Sequence, residues 1–317
     1  MSPTLDDIRR ARACIAGSVI RTPLVRLNVP DLPAEIWLKL ENLQPIGSFK
    51  IRGATNAMAQ LAPADLAGGV LTASAGNMAQ GVAWCARERG IPCTVIAPDT
   101  APAAKTQAIE RLGARVIMAP FERWWHVFQD RAYPGVEGTF IHAFDDDRVM
   151  AGNGTIGLEV LEDLPDVDAV VIPWGGGGLA SGIATALRAL RPECRIHAAE
   201  VETAAPLAAS LAAGSVQVVH YTPSFVDGIG SRTVFPRMFE RARALLDGSL
   251  VASLAEVAAA VAMLAERNHL VAEGAGACAL ANAFAGRAGT GKIVCIVSGG
   301  NIDANRLCEA LAGHVPA

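Results

Sequence analysis

Short runs of consecutive apolar residues alternate along most of this chain with longer stretches in which apolar residues recur every third or fourth position. Residues 69–73, 93–97, 115–119 and 139–143 are of the first kind and read as strands, while residues 77–89, 103–112 and 122–131 are of the second and read as helices. Gly90 and Gly113 follow two of these helices, where glycine commonly closes the last turn. Strand–helix alternation of this kind predicts a parallel sheet of about four strands with helices against it.

A second series follows. Residues 155–161 are helical in period, 169–173 form a near-continuous apolar strand, 179–190 a helix and 195–199 a strand. Ser253-Leu-Ala-Glu256 matches a capping box and opens an alanine-rich helix that runs to about Arg267. Residues 275–285 read as a helix, 292–297 as a buried strand and 303–311 as a closing helix. Before both series stand a helix at 6–17, an extended segment at 21–25, a strand at 36–40 and a helix at 51–61. Residues 216–237, rich in Ser, Thr, Gly and Pro, have no period and read as a loop of the kind that lines sites. The expected fold class is α/β, in two lobes, each an open, mostly parallel sheet flanked by helices.

Composition narrows the partners. Hydrophobic residues make up 51% of the 317 and charged residues 18%, which suits buried sheets rather than disorder. A net charge of -4 with no basic run gives nucleic acid no footprint. The long apolar stretch 167–190 is interrupted by Pro173 and four glycines, so no membrane span is expected. Residues 1–12 carry Asp6, Asp7, Arg9 and Arg10 and do not resemble a signal peptide. The 7 cysteines are scattered and form no CxxC pair, as expected of reduced thiols in the cytoplasm.

The candidate chemistry lies at strand ends. Lys50 follows Gly-Ser-Phe and begins a helix-favouring run, where its stem can pack and its amine can face a cleft. Desolvation there disfavours the ammonium and leaves a nucleophile and base. Gly175, Gly176, Gly177 and Gly178 stand between a buried strand and a helix, so that backbone amides converge at the positive end of the helix dipole and make an anion cradle. The spacing is not GxGxxG, which weakens a dinucleotide reading. Ser74-Ala-Gly-Asn77 again joins a strand to a helix, where serine and asparagine are most often simple caps but can also hold a carboxylate. Ser298 ends the last strand and can hydrogen-bond a ring nitrogen without bringing charge. A Schiff-base lysine, a phosphate cradle, a ring-nitrogen partner and a carboxylate pocket together describe a pyridoxal 5'-phosphate site.

The motifs GSFKIRGA, SAGNMAQG, GGGGLASG, VDGIG and VSGGN, in that order over residues 21–305, resemble the serine/threonine dehydratase family of fold-type II pyridoxal phosphate enzymes. The resemblance implies a large domain of residues 1–61 and 148–317 and a small mobile domain of residues 62–147. It implies that Lys50 carries the cofactor as a Schiff base with Phe49 beside the ring, and that Gly175 to Gly178 hold the phosphate. It places Asn77 at the ring hydroxyl, Ser298 at the ring nitrogen and Gly228 against the ring face, with Glu273 an acidic residue nearby. Ser74, Ala75, Gly76 and Met78 would meet the substrate. The implied reaction is Lys50-initiated α,β-elimination from a β-hydroxy amino acid, threonine or serine by default, giving a 2-oxo acid and ammonia. The implied assembly is a homodimer. Because the chain ends soon after VSGGN, no C-terminal regulatory domain is expected.

Three departures qualify the resemblance. The family commonly reads SSGNHAQG, so Ala75 removes the serine that acts as the opposite-face acid in racemases, which disfavours racemisation. Met78 and Trp174 replace other residues and either reshape the pocket, as a phenylserine-type substrate would require, or merely pack. Where relatives bind a divalent cation through ExxxAxD, this chain has Glu200, Ala204 and Pro206, so no metal is expected.

Overall fold

The computed structural model describes residues 3–317. Its strands are β1 Leu24–Arg26, β2 Ala34–Leu40, β3 Val70–Ala73, β4 Cys93–Pro98, β5 Arg115–Ala119, β6 Thr139–Phe140, β7 Ala169–Pro173, β8 Arg195–Val201, β9 Gly248–Ala252 and β10 Gly291–Val297. They form a four-stranded sheet in the order β5-β4-β3-β6 and a six-stranded sheet in the order β1-β2-β10-β7-β8-β9. All pairings are parallel except that of β1 with β2. The expectation of two open, mostly parallel sheets is met. β7 is buried along its whole length and β10 from Ile293 onward, which is why both read as unbroken apolar runs rather than as alternation.

The helix expected at 155–161 is in fact Asp147–Asp163. The glycines in it serve close packing. A Cβ on Gly152 would lie 2.5 Å from the Arg52 carbonyl oxygen, and one on Gly182 would overlap the Met150 carbonyl. Helices Lys50–Ala59 and Gly178–Leu190 therefore approach Asp147–Asp163 at backbone contact distance. Asp146 caps the start of Asp147–Asp163 by accepting from the Arg148 amide.

The strand expected at 139–143 pairs only over Thr139–Phe140. Beyond it the chain turns, because His142 Nδ1 accepts from the amides of Phe144 at 3.2 Å and Asp145 at 2.9 Å. Four elements were not foreseen: the helices Pro63–Leu66, Pro206–Ala213 and Pro236–Leu245, each with proline in the first turn, and β9. The loop expected over 216–237 is irregular apart from a 3-10 turn at Asp227–Ile229 and a bridge between Val218 and Thr233, and it ends where the second of those helices begins. Among the described residues no helix is long and apolar enough to cross a membrane.

Candidate active site

Lys50 is the first residue of helix Lys50–Ala59, and the segment before it is tied to the end of β10. Ser48 bridges Gly299, and the Phe49 amide donates to the Ser298 carbonyl at 3.0 Å. The Lys50 Nζ donates to the Ala143 carbonyl oxygen at 2.9 Å and lies 5.0 Å from the centre of the Phe49 ring. Burial pushes its pKa down to about 8, against the opposing pull of the Glu273 carboxylate.

Two residues on, Arg52 locks the same helical turn in place. Its Nε and Nη2 each reach a Glu41 oxygen at 2.8 Å, and Nη1 and Nη2 reach Glu159 at 2.6 and 2.9 Å. Lys39 Nζ adds an ion pair to Glu159 at 2.6 Å, and all of these side chains are buried. Burial alone would raise the Glu41 pKa, but the Arg52 guanidinium holds it below the usual carboxylate range. The network ties the Lys50 helix both to the end of β2 and to helix Asp147–Asp163.

The four glycines join β7 to helix Gly178–Leu190. Gly177 has φ +86 and caps that helix, and a Cβ there would overlap the Trp174 indole. A Cβ on Gly176 would fall within the Phe144 ring, and one on Gly178 would come within 2.7 Å of the Phe144 carbonyl oxygen. On the other side, a Cβ on Gly175 would lie 3.3 Å from the Gly228 carbonyl oxygen. Only backbone fits between these walls, and the first amides of a helix have no partner within it, so the loop presents free N–H donors.

Contacts pass from here around the rest of the site. A Cβ on Gly228 would lie 2.9 Å from Ala275 and 3.6 Å from Glu273 Oε1. Glu273 Oε1 accepts from Asn77 Nδ2 at 2.7 Å, and the Glu273 amide donates to the Gly299 carbonyl at 3.1 Å. Burial raises the Glu273 carboxyl to about 7, although the Asn77 hydrogen bond works in the other direction. Ser74 follows β3, its amide donates to Ile96 O at 3.0 Å, and its Oγ accepts from the Gly76 amide at 3.1 Å. Ala75 is half-buried between them, and a Cβ on Gly76 would meet nothing within 4 Å. Helix Asn77–Glu88 then places Gly81 against the Lys50 backbone, where a Cβ on Gly81 would lie 3.3 Å from the Lys50 carbonyl. Ser74, Gly175 and Ser298 each follow the C-terminal end of a parallel strand, where open α/β sheets gather ligands.

Met78 and Trp174 are buried, Met78 within the core of the four-stranded sheet and Trp174 beneath the glycine loop. Both Glu200 oxygens are occupied: Oε1 accepts from the Leu207 amide at 2.9 Å, and Oε2 from the Ala208 amide and Ser249 Oγ at 2.7 Å each. Four residues of the site were not picked out from the sequence: Ala143, Phe144, Arg52 and Gly81.

The family model for "pyridoxal-phosphate dependent enzyme" matches residues 15–299. An L-threonine ammonia-lyase of Thermotoga maritima is 41% identical over 96% of this chain and 77% of its own length. The chain belongs to the serine/threonine dehydratase family. A catabolic L-threonine dehydratase of Escherichia coli is 38% identical over 99% of this chain and 97% of its own. Among solved structures, maize serine racemase superposes with a TM-score of 0.90 at 33% identity, covering 98% of each chain. The family's cofactor is compatible with the residues found here. A buried amine of lowered pKa, a glycine cradle that any Cβ would fill and open space at Gly76 meet its chemical requirements.

Proposed function

We propose that this chain is an L-threonine/L-serine ammonia-lyase that uses pyridoxal phosphate. The reading rests above all on Lys50, an amine of pKa about 8 at a helix start, together with a glycine loop, Ser74 and Ser298 that each follow the end of a parallel strand. Its relatives' names, threonine ammonia-lyase and threonine dehydratase, support the substrate class.

Lys50 would hold the cofactor covalently, Gly175 to Gly178 its phosphate, Asn77 its ring oxygen and Ser298 its ring nitrogen, with Phe49 and Gly228 flanking the ring. The cofactor, when bound, supplies an electron sink for breaking the substrate's Cα–H bond. The protein supplies the rest. Ser74 and the amides of residues 75–78, at the start of helix Asn77–Glu88, bind the substrate carboxylate. The Lys50 amine, when free, takes the Cα proton. Ala143 O keeps that amine in place. Loss of the β-hydroxyl, which leaves as water with a proton matching the one taken from Cα, gives an enamine that, once released, tautomerises and takes up water to yield the 2-oxo acid and ammonia.

Residues 62–147 act as the smaller, closing lobe. An ion pair at 2.6 Å between Lys105 Nζ and Asp227 Oδ2, beside Gly228, supports this, because it links the two sheets' surroundings across the site. No metal is assigned at Glu200, since backbone amides and Ser249 already satisfy it and Pro206 offers no ligand. A cytoplasmic homodimer is the proposed assembly; the cysteines, all free, support a reducing compartment.

The test is an ammonia-release assay across L-serine, L-threonine and threo-phenylserine, together with chiral analysis of the remaining amino acid. Turnover of threonine and serine without D-isomer is expected, because Ala75 has no proton to give; rapid formation of D-serine would overturn the assignment. A second check addresses the cradle. Gly177→Ala forces a side chain into φ +86 and into the Trp174 indole, so its affinity for pyridoxal phosphate by equilibrium dialysis is expected to fall roughly tenfold or more.

A further inference from the structure

Asn77 is the end of a chain of amides whose sense can be worked out from the acceptor at its other end. The Ile46 carbonyl, in the segment leading to Lys50, can only accept. Asn301 therefore turns its Nδ2 toward it, at 2.9 Å. The second hydrogen of the same Nδ2 goes to Asn77 Oδ1 at 2.7 Å. That contact requires Asn77 to present oxygen on this side and nitrogen on the other, where Nδ2 donates to Glu273 Oε1 at 2.7 Å. The Glu273 carboxylate, when ionised, is likewise acceptor-only and agrees with the direction that the Ile46 carbonyl sets. Both Asn301 Nδ2 hydrogens are committed, and one of the two on Asn77 is committed. A single hydrogen, on Asn77 Nδ2, is left over.

The backbone holds the partners in register. The Glu273 backbone N–H donates to Gly299 O at 3.1 Å, and Gly300 N donates to Gly47 O at 2.9 Å, so the loop after β10 is tied both to Glu273 and to the Lys50 segment. A Cβ on Gly47 would lie 2.6 Å from Asn301 Oδ1, and one on Gly299 would overlap Glu273 Oε1. Both glycines therefore leave space that the Asn301 and Glu273 side chains occupy.

We infer that Asn301 and Glu273 are positioning residues for the reaction: by fixing which end of the Asn77 amide is nitrogen, they reserve its one uncommitted N–H as the donor to the oxygen of the cofactor ring. This rests on the reading that Asn77 meets that oxygen. The charge state of the ring oxygen affects the visible absorption of the bound cofactor, so the inference has a spectroscopic readout that is separate from turnover.

The test uses purified holoenzymes of wild type, Asn301→Leu, Glu273→Leu, Glu273→Gln, Asn77→Ala and the double variant Asn301→Leu/Asn77→Ala. Cofactor dissociation constants are measured by equilibrium dialysis, and the pH midpoint of the visible band by titration. Asn301→Leu and Glu273→Leu are expected to weaken cofactor binding roughly tenfold each and to displace the midpoint. Glu273→Gln, whose amide oxygen can still accept from Asn77, is expected to recover most of the loss. In the Asn77→Ala background, Asn301→Leu should have little further effect, because the group it orients is gone. Full additivity of these two substitutions, or an unchanged midpoint in both leucine variants, overturns the inference. Should either leucine variant not fold, the Gln variant and the Asn77 cycle built on Asn301→Ser decide between the same two outcomes. A wild-type protein that binds no pyridoxal phosphate overturns the proposed function itself, and this inference with it.

Discussion

A Lys50→Ala protein is expected to lose the visible absorption of the bound cofactor and to fall in kcat by roughly 10²–10⁴-fold or more, the usual contribution of a positioned acid–base group. The size of the effect follows from where the amine sits. With its pKa lowered to about 8, far more of the Lys50 amine is unprotonated near neutral pH than in an exposed lysine. Burial provides that difference, and the Glu273 carboxylate partly opposes it. Alanine removes both the nucleophile and the base while leaving the Arg52 network beneath it untouched, so the variant should fold and its far-ultraviolet circular dichroism should match wild type. A small primary amine added in solution is expected to restore part of the turnover. Unchanged absorbance and turnover in the variant would be incompatible with the proposed function.

Arg52→Met is expected to destabilise the protein by about 3–5 kcal/mol, because removing one partner leaves buried charge uncompensated. Glu41 and Glu159 share Arg52, and without it only Lys39 remains paired with Glu159, while Glu41 keeps neutral donors from Thr22 at 2.6 Å and Gln44 at 3.2 Å. The check is the urea midpoint of the variant against wild type at unchanged m-value. Arg52→Lys should recover only part of the loss, since an ammonium cannot reproduce the planar fork that spans both carboxylates. A variant as stable as wild type would mean that the network is dispensable. Because Arg52 lies in the first turn of the Lys50 helix, the same substitution is expected to lower kcat beyond what its stability explains.

Much of the site can be read from the sequence because its pieces are local. A lysine after Gly-Ser-Phe, a run of four glycines after an apolar strand and a serine at a strand end each reveal a backbone geometry within a few residues. Where the reading stopped short, the missing information was packing. The helix Asp147–Asp163 starts eight residues before the expected one, and its glycines let three helices touch at backbone distance. Met78 and Trp174 left open a reshaped pocket; the structure buries both, and their neighbours in the chain could not have revealed what covers them.

The sequence by itself determined the alternation of strands and helices, the lysine, the cradle and the family, because hydrophobic period, capping and turn chemistry act over a few positions. Only the tertiary structure decided which carbonyl receives Lys50, which carboxylates hold Arg52 and which hydrogen Asn77 has to spare. Those outcomes depend on Ala143, Glu159, Glu273 and Asn301 arriving from distant parts of the chain, where a hydrogen bond has direction but leaves no periodic trace in the order of residues.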